Sequence, residues 1–189
     1  MFSHGLTASR NFYQVTASEL ASNGFIVFLI DHHDGTCCYS ENKAGDKQVF
    51  FDATVPFLNY DDMHAKVKVR ENETKLLIDF ISKPTFMKEE LGLDSEMDIG
   101  KLVMAGHSMG GATALRVGES DERVRCVVTH DPWLTPLHKE ISAGTFTGYR
   151  KEQSVLLLNT EKFMEVSDLN DGFIPKQVHS KLIDFLMPC

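Results

Sequence analysis

No apolar run in this chain approaches the roughly 18 residues that a membrane-spanning helix needs. Cysteine is scarce: Cys37, Cys38, Cys126 and Cys189 are the whole set. They show no C-x-x-C or other metal-ligand spacing, and adjacent Cys37 and Cys38 are poor partners for each other. That excludes a disulfide scaffold and leaves the compartment open. Basic residues are also short, with 19 Lys and Arg against 27 Asp and Glu and a net charge of -8. This balance argues against a nucleic-acid binder, which needs a basic face, and disfavours electrostatic docking on anionic lipid. Repeats and low-complexity tracts are absent. The opening residues, "MFSHGL", carry neither the basic segment nor the apolar segment of a secretory signal. They read as the end of a strand already inside a fold, so we expect further sequence upstream.

What is present fits one globular domain: 189 residues, 42% apolar and 24% charged. "SRNFYQVTASELASNG" reads as a helix with Ser9 at its N-cap and Gly24 as its stop, and Tyr13, Ala17, Leu20 and Ala21 share a face. "FIVFLI" (Phe25 to Ile30) is an apolar, β-branched run expected to be a buried parallel strand. Residues 31–60 are irregular and polar apart from a short strand at "QVFF". In the helix that follows, Met63, Val67, Thr74, Leu77, Ile78 and Ile81 keep an apolar stripe until Pro84 closes it. A short helix is expected at "TFMKEEL". Further on, "KLVMAG", "VRCVVT" and "SVLLLN" read as strands, "GGATALRVG" as a helix, and "IPKQVHSKLIDFLM" as a terminal amphipathic helix. Strands alternating with helices predict a mostly parallel sheet with right-handed crossovers and active groups at the strands' carboxyl ends.

The chemistry at those ends centres on "VMAGHSMGGA". A G-x-S-x-G between a strand and a helix places Ser108 on a tight turn with its hydroxyl raised above the sheet. Gly106 and Gly110 remove side chains that would collide around that turn. The helix that follows points backbone N–H groups at developing negative charge. Ser108 is therefore the expected nucleophile. Its oxyanion donors are expected to be the N–H of Met109 and, from the loop in "FSHGL", the N–H of Leu6. His4, inside that loop and ahead of the serine, is expected to be structural. "VRCVVTHDPW" puts Asp131 just after the next strand, where a carboxylate orients and charges an imidazole. An Asp-Pro turn is the duller reading of the same dipeptide.

"FSHGL", "LASNGFIVFLIDHHDGT", "VMAGHSMGGAT" and "THDPW" together resemble the platelet-activating-factor acetylhydrolases, calcium-independent, lipoprotein-associated-type phospholipases A2. The resemblance runs from Phe2 to about Phe163. "GHSMGG" alone is weak, since cutinases and polyester hydrolases carry it too; "DHHDGT" and the closely spaced Asp and Trp are more specific. The resemblance implies an α/β-hydrolase fold, a mostly parallel sheet with flanking helices. It implies Ser108 as nucleophile, Asp131 as triad acid, Leu6 and Met109 as oxyanion donors, and Trp133 lining the acyl pocket. It implies hydrolysis of short or oxidised sn-2 acyl esters of phospholipids, without cofactor or metal. The implied partners are a phospholipid or other small ester and a lipid surface, not nucleic acid.

The family's catalytic histidine follows the last sheet strand. His130 belongs to a strand end, His138 lies seven residues past Asp131, and His179 sits in the terminal helix; none follows a strand. "SVLLLNTEKF" resembles the family's penultimate strand segment. We therefore expect a domain fragment over residues 1–189, lacking early strands and the C-terminal strand, with its histidine downstream of Cys189 and little activity on its own. Asp31, His32, His33 and Asp34 are expected to form a loop at the mouth of the site rather than a metal cluster, because ligands packed this tightly in sequence rarely all face one ion. Cys37 and Cys38 are expected to be free thiols. Two other readings stay open: a cutinase-like or general carboxylesterase, and an inactive remnant that only binds lipid or a partner.

Overall fold

A computed structural model describes residues 1–42, 44–54, 59–161 and 163. Its strands are β1 (Phe2–Ser3), β2 (Leu29–Ile30), β3 (Tyr39–Glu41), β4 (Gln48–Phe50), β5 (Leu102–His107), β6 (Val124–His130) and β7 (Ser154–Leu158). Five of them form one sheet in the order β2-β1-β5-β6-β7, and every pairing in it is parallel. β3 and β4 form a separate antiparallel hairpin.

The helices are α1 (Gln14–Ser22), α2 (Tyr60–Ile81), α3 (Phe86–Leu91), α4 (Met109–Ser120) and α5 (His138–Ala143). α2 starts at Asn59, whose side chain accepts from the N–H groups of Asp61 and Asp62 and so satisfies two free donors. Its buried stripe is Met63, Val67, Arg70, Thr74, Ile78 and Ile81. Most of that stripe follows the expected apolar spacing; Arg70 does not, and its role appears below. α2 and α4 share one core with β5 and β6, in which Met104, Leu115, Val127 and Ile78 are fully buried. α4 lies very close to the sheet. A Cβ on Gly110 would stand 2.0 Å from Ser3 O, and one on Gly118 would stand 2.4 Å from Val127 Cγ2.

Three expectations need correction or lie out of view. Of "FIVFLI" only Leu29 and Ile30 pair, and Phe25 and Ile26 are 54% and 43% exposed. Among the described residues β2 pairs with β1 alone, and an apolar run does not say how many neighbours its strand has. The first helix begins as a 3-10 segment (Arg10–Tyr13), Ser9 makes no side-chain cap bond, and no residue of Arg10–Ser22 is buried. On the shared face Tyr13 and Ala17 are half-buried and Leu20 is exposed. The expected terminal helix, with His179, lies outside the described residues.

Candidate active site

β2 lies on one side of β1, whereas β5, β6 and β7 lie on the other. A parallel sheet that reverses its direction of growth opens a crevice at the carboxyl ends of the two strands where it reverses, here β1 and β5. Thr7, Ser108 and Asp131 are the non-glycine residues with left-handed φ among the described residues, at 64°, 54° and 46°. They follow β1, β5 and β6, three adjacent strands. Such a conformation is strained for any residue with a Cβ, most of all for a β-branched one, and its accumulation at one edge is characteristic of functional sites.

Ser108 stands between β5 and α4 with φ 54° and ψ -119°, and its side chain caps nothing in the helix. Its backbone is fixed from three sides. The N–H donates to His130 O at 3.0 Å, and the carbonyl accepts from Gly111 and Trp133, each at 2.9 Å. A Cβ on Gly106 would stand 2.0 Å from Gly110 O, so the turn closes only over a bare backbone.

The loop after β1 lies against this turn. A Cβ on Gly5 would come within 3.3 Å of Ser108 Cβ and 3.1 Å of His107 Nδ1. Gly5 N–H donates to the Tyr13 hydroxyl at 3.0 Å, which in turn donates to His107 Nδ1 at 2.9 Å. Burial, helped by neighbouring His130, lowers the His107 pKa and keeps the ring neutral and able to accept that proton. Among the described residues neither Leu6 N–H nor Met109 N–H is donated to a protein acceptor. Both are thus free to meet a ligand oxygen.

Asp131 is 6% exposed. Its N–H donates to Leu158 O at 2.8 Å; its Oδ1 accepts from Thr160 N–H at 2.6 Å and its Oδ2 from Thr160 Oγ1 at 2.9 Å. A simple Asp-Pro turn explains neither this burial nor these bonds. His130 Nε2 lies 3.6 Å from Asp131 Oδ2, on a side chain 55% exposed. His138 is turned away, with Nδ1 donating to Thr135 O at 2.8 Å. No described histidine hydrogen-bonds Ser108. Trp133 meets the elbow through its backbone N–H, while its side chain is 5% exposed and belongs to the core.

The "DHHDGT" segment is tied to α2 and to the β1 loop. Asp34 and Arg70 pair at 2.9 Å with both side chains fully buried. Arg70 also donates from Nη1 to His4 O at 2.7 Å and from Nη2 to Thr36 Oγ1. Burial works to raise the Asp34 carboxyl, but Arg70 and Thr36 outweigh it and hold it down at about 2. Buried His32 bonds Glu73 through Nδ1 at 2.7 Å and Ser3 Oγ through Nε2 at 2.8 Å. His4, Asp31 and Cys37 offer ligand atoms within 4.8 Å of one another. However, His4 Nδ1 bonds Gly5 O at 2.7 Å, His4 Nε2 bonds His32 N–H at 3.2 Å, and Cys37 Sγ donates to Tyr39 O at 3.0 Å. Burial pushes that thiol up to about 12, so it stays protonated. Cys37, Cys38 and Cys126 are free.

The structure thus brings Ser108 and the Gly5–Leu6 loop together and sets Asp131 on the next strand end. Sequence reasoning missed Tyr13, His107, Arg70 and Thr160. Of these only Arg70 left a trace: it falls three residues after Val67 and four before Thr74, inside the apolar stripe.

Residues 1–184 match the family described as "Platelet-activating factor acetylhydrolase, isoform II". The chain is 28% identical to a platelet-activating factor acetylhydrolase of Bos taurus, over 98% of this chain and 48% of the relative. It is 29% identical to the protein of that name from Canis lupus familiaris, over 86% of this chain and 40% of the relative. It therefore spans about half the length of the curated relatives it matches. Among solved structures it resembles a ferulic acid esterase from Streptomyces cinnamoneus with a TM-score of 0.59 and 21% identity, over 92% of this chain and 47% of that one. That likeness concerns the fold: a mostly parallel sheet with flanking helices, the α/β-hydrolase architecture.

Proposed function

The chain belongs to the platelet-activating factor acetylhydrolase, isoform II, family, and on that premise we propose that it carries the nucleophile, acid and oxyanion donors of a phospholipid esterase. Its substrates are phospholipids with a short or oxidised acyl group at sn-2. Ser108 Oγ attacks the ester carbonyl carbon, and its proton passes to a histidine outside the described residues that Asp131 orients. The carbonyl oxygen becomes an oxyanion and lies between the Leu6 and Met109 N–H groups, which are not spent on protein acceptors. Collapse of the tetrahedral intermediate breaks the ester bond, the histidine returns its proton to the leaving alcohol, and water then releases the acyl group from Ser108 by the reverse sequence. Trp133 holds the Ser108 carbonyl through its backbone N–H, and the family resemblance assigns its indole to the acyl pocket.

The observation that carries this reading is the strained Ser108 turn with a Gly5 backbone against it and buried Asp131 on the adjacent strand end. A fluorophosphonate probe on the full-length protein should label Ser108, and Ser108→Ala should abolish both labelling and hydrolysis. The unlabelled full-length protein should hydrolyse a short-chain sn-2 phospholipid with higher kcat/KM than a simple p-nitrophenyl ester. The reverse preference would indicate a general carboxylesterase, and absence of labelling would indicate a binding remnant.

A further inference from the structure

An oxyanion donor is only as good as the orientation of its peptide. The Leu6 N–H belongs to the same planar unit as the Gly5 carbonyl, and the described residues contain no cis peptide bond. In a trans peptide the C=O and N–H point in opposite directions. Whatever holds Gly5 O therefore aims Leu6 N–H.

Gly5 O is held by the ring of the residue before it, His4, whose Nδ1 lies at 2.7 Å; the Ala8 N–H makes a longer approach at 3.3 Å. A carbonyl can only accept, so Nδ1 bears the proton. Nε2 must then be the accepting nitrogen, and it meets the His32 N–H at 3.2 Å. One tautomer satisfies both contacts. The ring is 1% exposed and cannot turn without losing them. The rest of the loop is fixed independently: Arg70 holds His4 O, and Tyr13 holds Gly5 N–H. The plane of the Gly5–Leu6 peptide is the degree of freedom left for His4.

We propose that His4 is a positioning residue of the oxyanion site, whose Nδ1–H, bonded to Gly5 O, turns the Gly5–Leu6 peptide so that Leu6 N–H faces the substrate's developing oxyanion. The inference rests on the reading of Leu6 as an oxyanion donor. His4 touches no substrate; it acts through the peptide. Burial, and then the nearby Arg70 and His32, lower its pKa to about 3, so the neutral form persists across the working range.

Two substitutions in the full-length protein separate this role from packing. The amide nitrogen of Asn reaches the position of Nδ1, whereas that of Gln reaches the position of Nε2. With a short-chain sn-2 phospholipid, His4→Gln should lower kcat about 100-fold, the scale of a lost oxyanion donor, with KM changed less than about twofold. His4→Asn should recover most of that loss. Equal kcat for the two variants, or wild-type kcat for His4→Gln, overturns the proposal. Should either variant fail to fold, nitrogen-15 NMR of the wild-type imidazoles provides the test. A neutral His4 protonated on Nδ1 at pH 7 supports the proposal; an Nε2–H tautomer or a charged ring overturns it. Ser108→Ala run in parallel keeps the two levels apart. Residual activity in Ser108→Ala removes the esterase reading itself, while an inactive Ser108→Ala beside an unaffected His4→Gln removes only the positioning role.

Discussion

At Asp131 the backbone adopts a left-handed φ of 46°, and the carboxylate is bonded twice by one residue, through Thr160 N–H and Thr160 Oγ1. A charge this deeply buried is stable only when its oxygens are satisfied. Thr160 thus sets the orientation of the carboxylate, whose remaining lone pairs the proposed mechanism offers to an imidazole. Thr160→Val removes the hydroxyl donor but keeps the N–H donor and the side-chain shape. In the full-length protein it should reduce kcat/KM about tenfold, in line with loss of one hydrogen bond to a charged group. Steady-state kinetics beside an unchanged melting temperature would check it; unaltered kinetics would make Thr160 a bystander. The placement of Ser108 and Asp131 was legible because each is marked by its own neighbours, a glycine-flanked turn and a strand end. Thr160 was not, because its bond joins residues 29 apart in sequence and exists only where β7 lies beside β6.

At the scale of elements, α2 does more than cover the sheet. Its apolar stripe carries one guanidinium, Arg70, that reaches through the core layer to Asp34, Thr36 and the His4 carbonyl. These bonds tie the helix to the loop that bears the Leu6 N–H. Removing one member of a buried ion pair leaves the other charge without a partner in low dielectric, at a cost of roughly 3–5 kcal/mol. Arg70→Met should lose about that much in urea denaturation. Adding Asp34→Leu should restore a large part of it, because the stranded carboxylate is gone; no recovery in the double variant would show that the pair's charge is not what matters. An arginine within a 3.6-residue stripe was readable as an anomaly, but its partner was not, since Asp34 is 36 residues away in a polar loop that looked like a surface feature.

At the scale of the whole molecule, the sheet reverses its growth between β1 and β5, and α4 lies across that point with almost no space beneath it. Gly110 is where the layers meet: an added Cβ would stand 2.0 Å from Ser3 O and 2.7 Å from His4 O, both backbone atoms that cannot turn aside. Gly110→Ala should therefore push α4 off β1, with a stability loss at or above the upper end of the roughly 1–3 kcal/mol usual for overpacking. A thermal melt should show it directly, and a variant as stable as the parent would mean that the layers give way easily. The sequence by itself determined the parallel α/β class, most strands and helices around the site, and the turn and strand end that carry Ser108 and Asp131, the residues we propose for the chemistry. Those follow from periodicity and from turn sterics, which act between residues a few positions apart. Only the tertiary structure decided that β2 pairs with β1 through Leu29 and Ile30, that Arg70 ties "DHHDGT" to the β1 loop, that Gly5 backs onto Ser108, and that His4 and Thr160 bond Gly5 O and the Asp131 carboxylate. These depend on strand order and helix docking, which are set by burial of the whole core, and no local pattern records them.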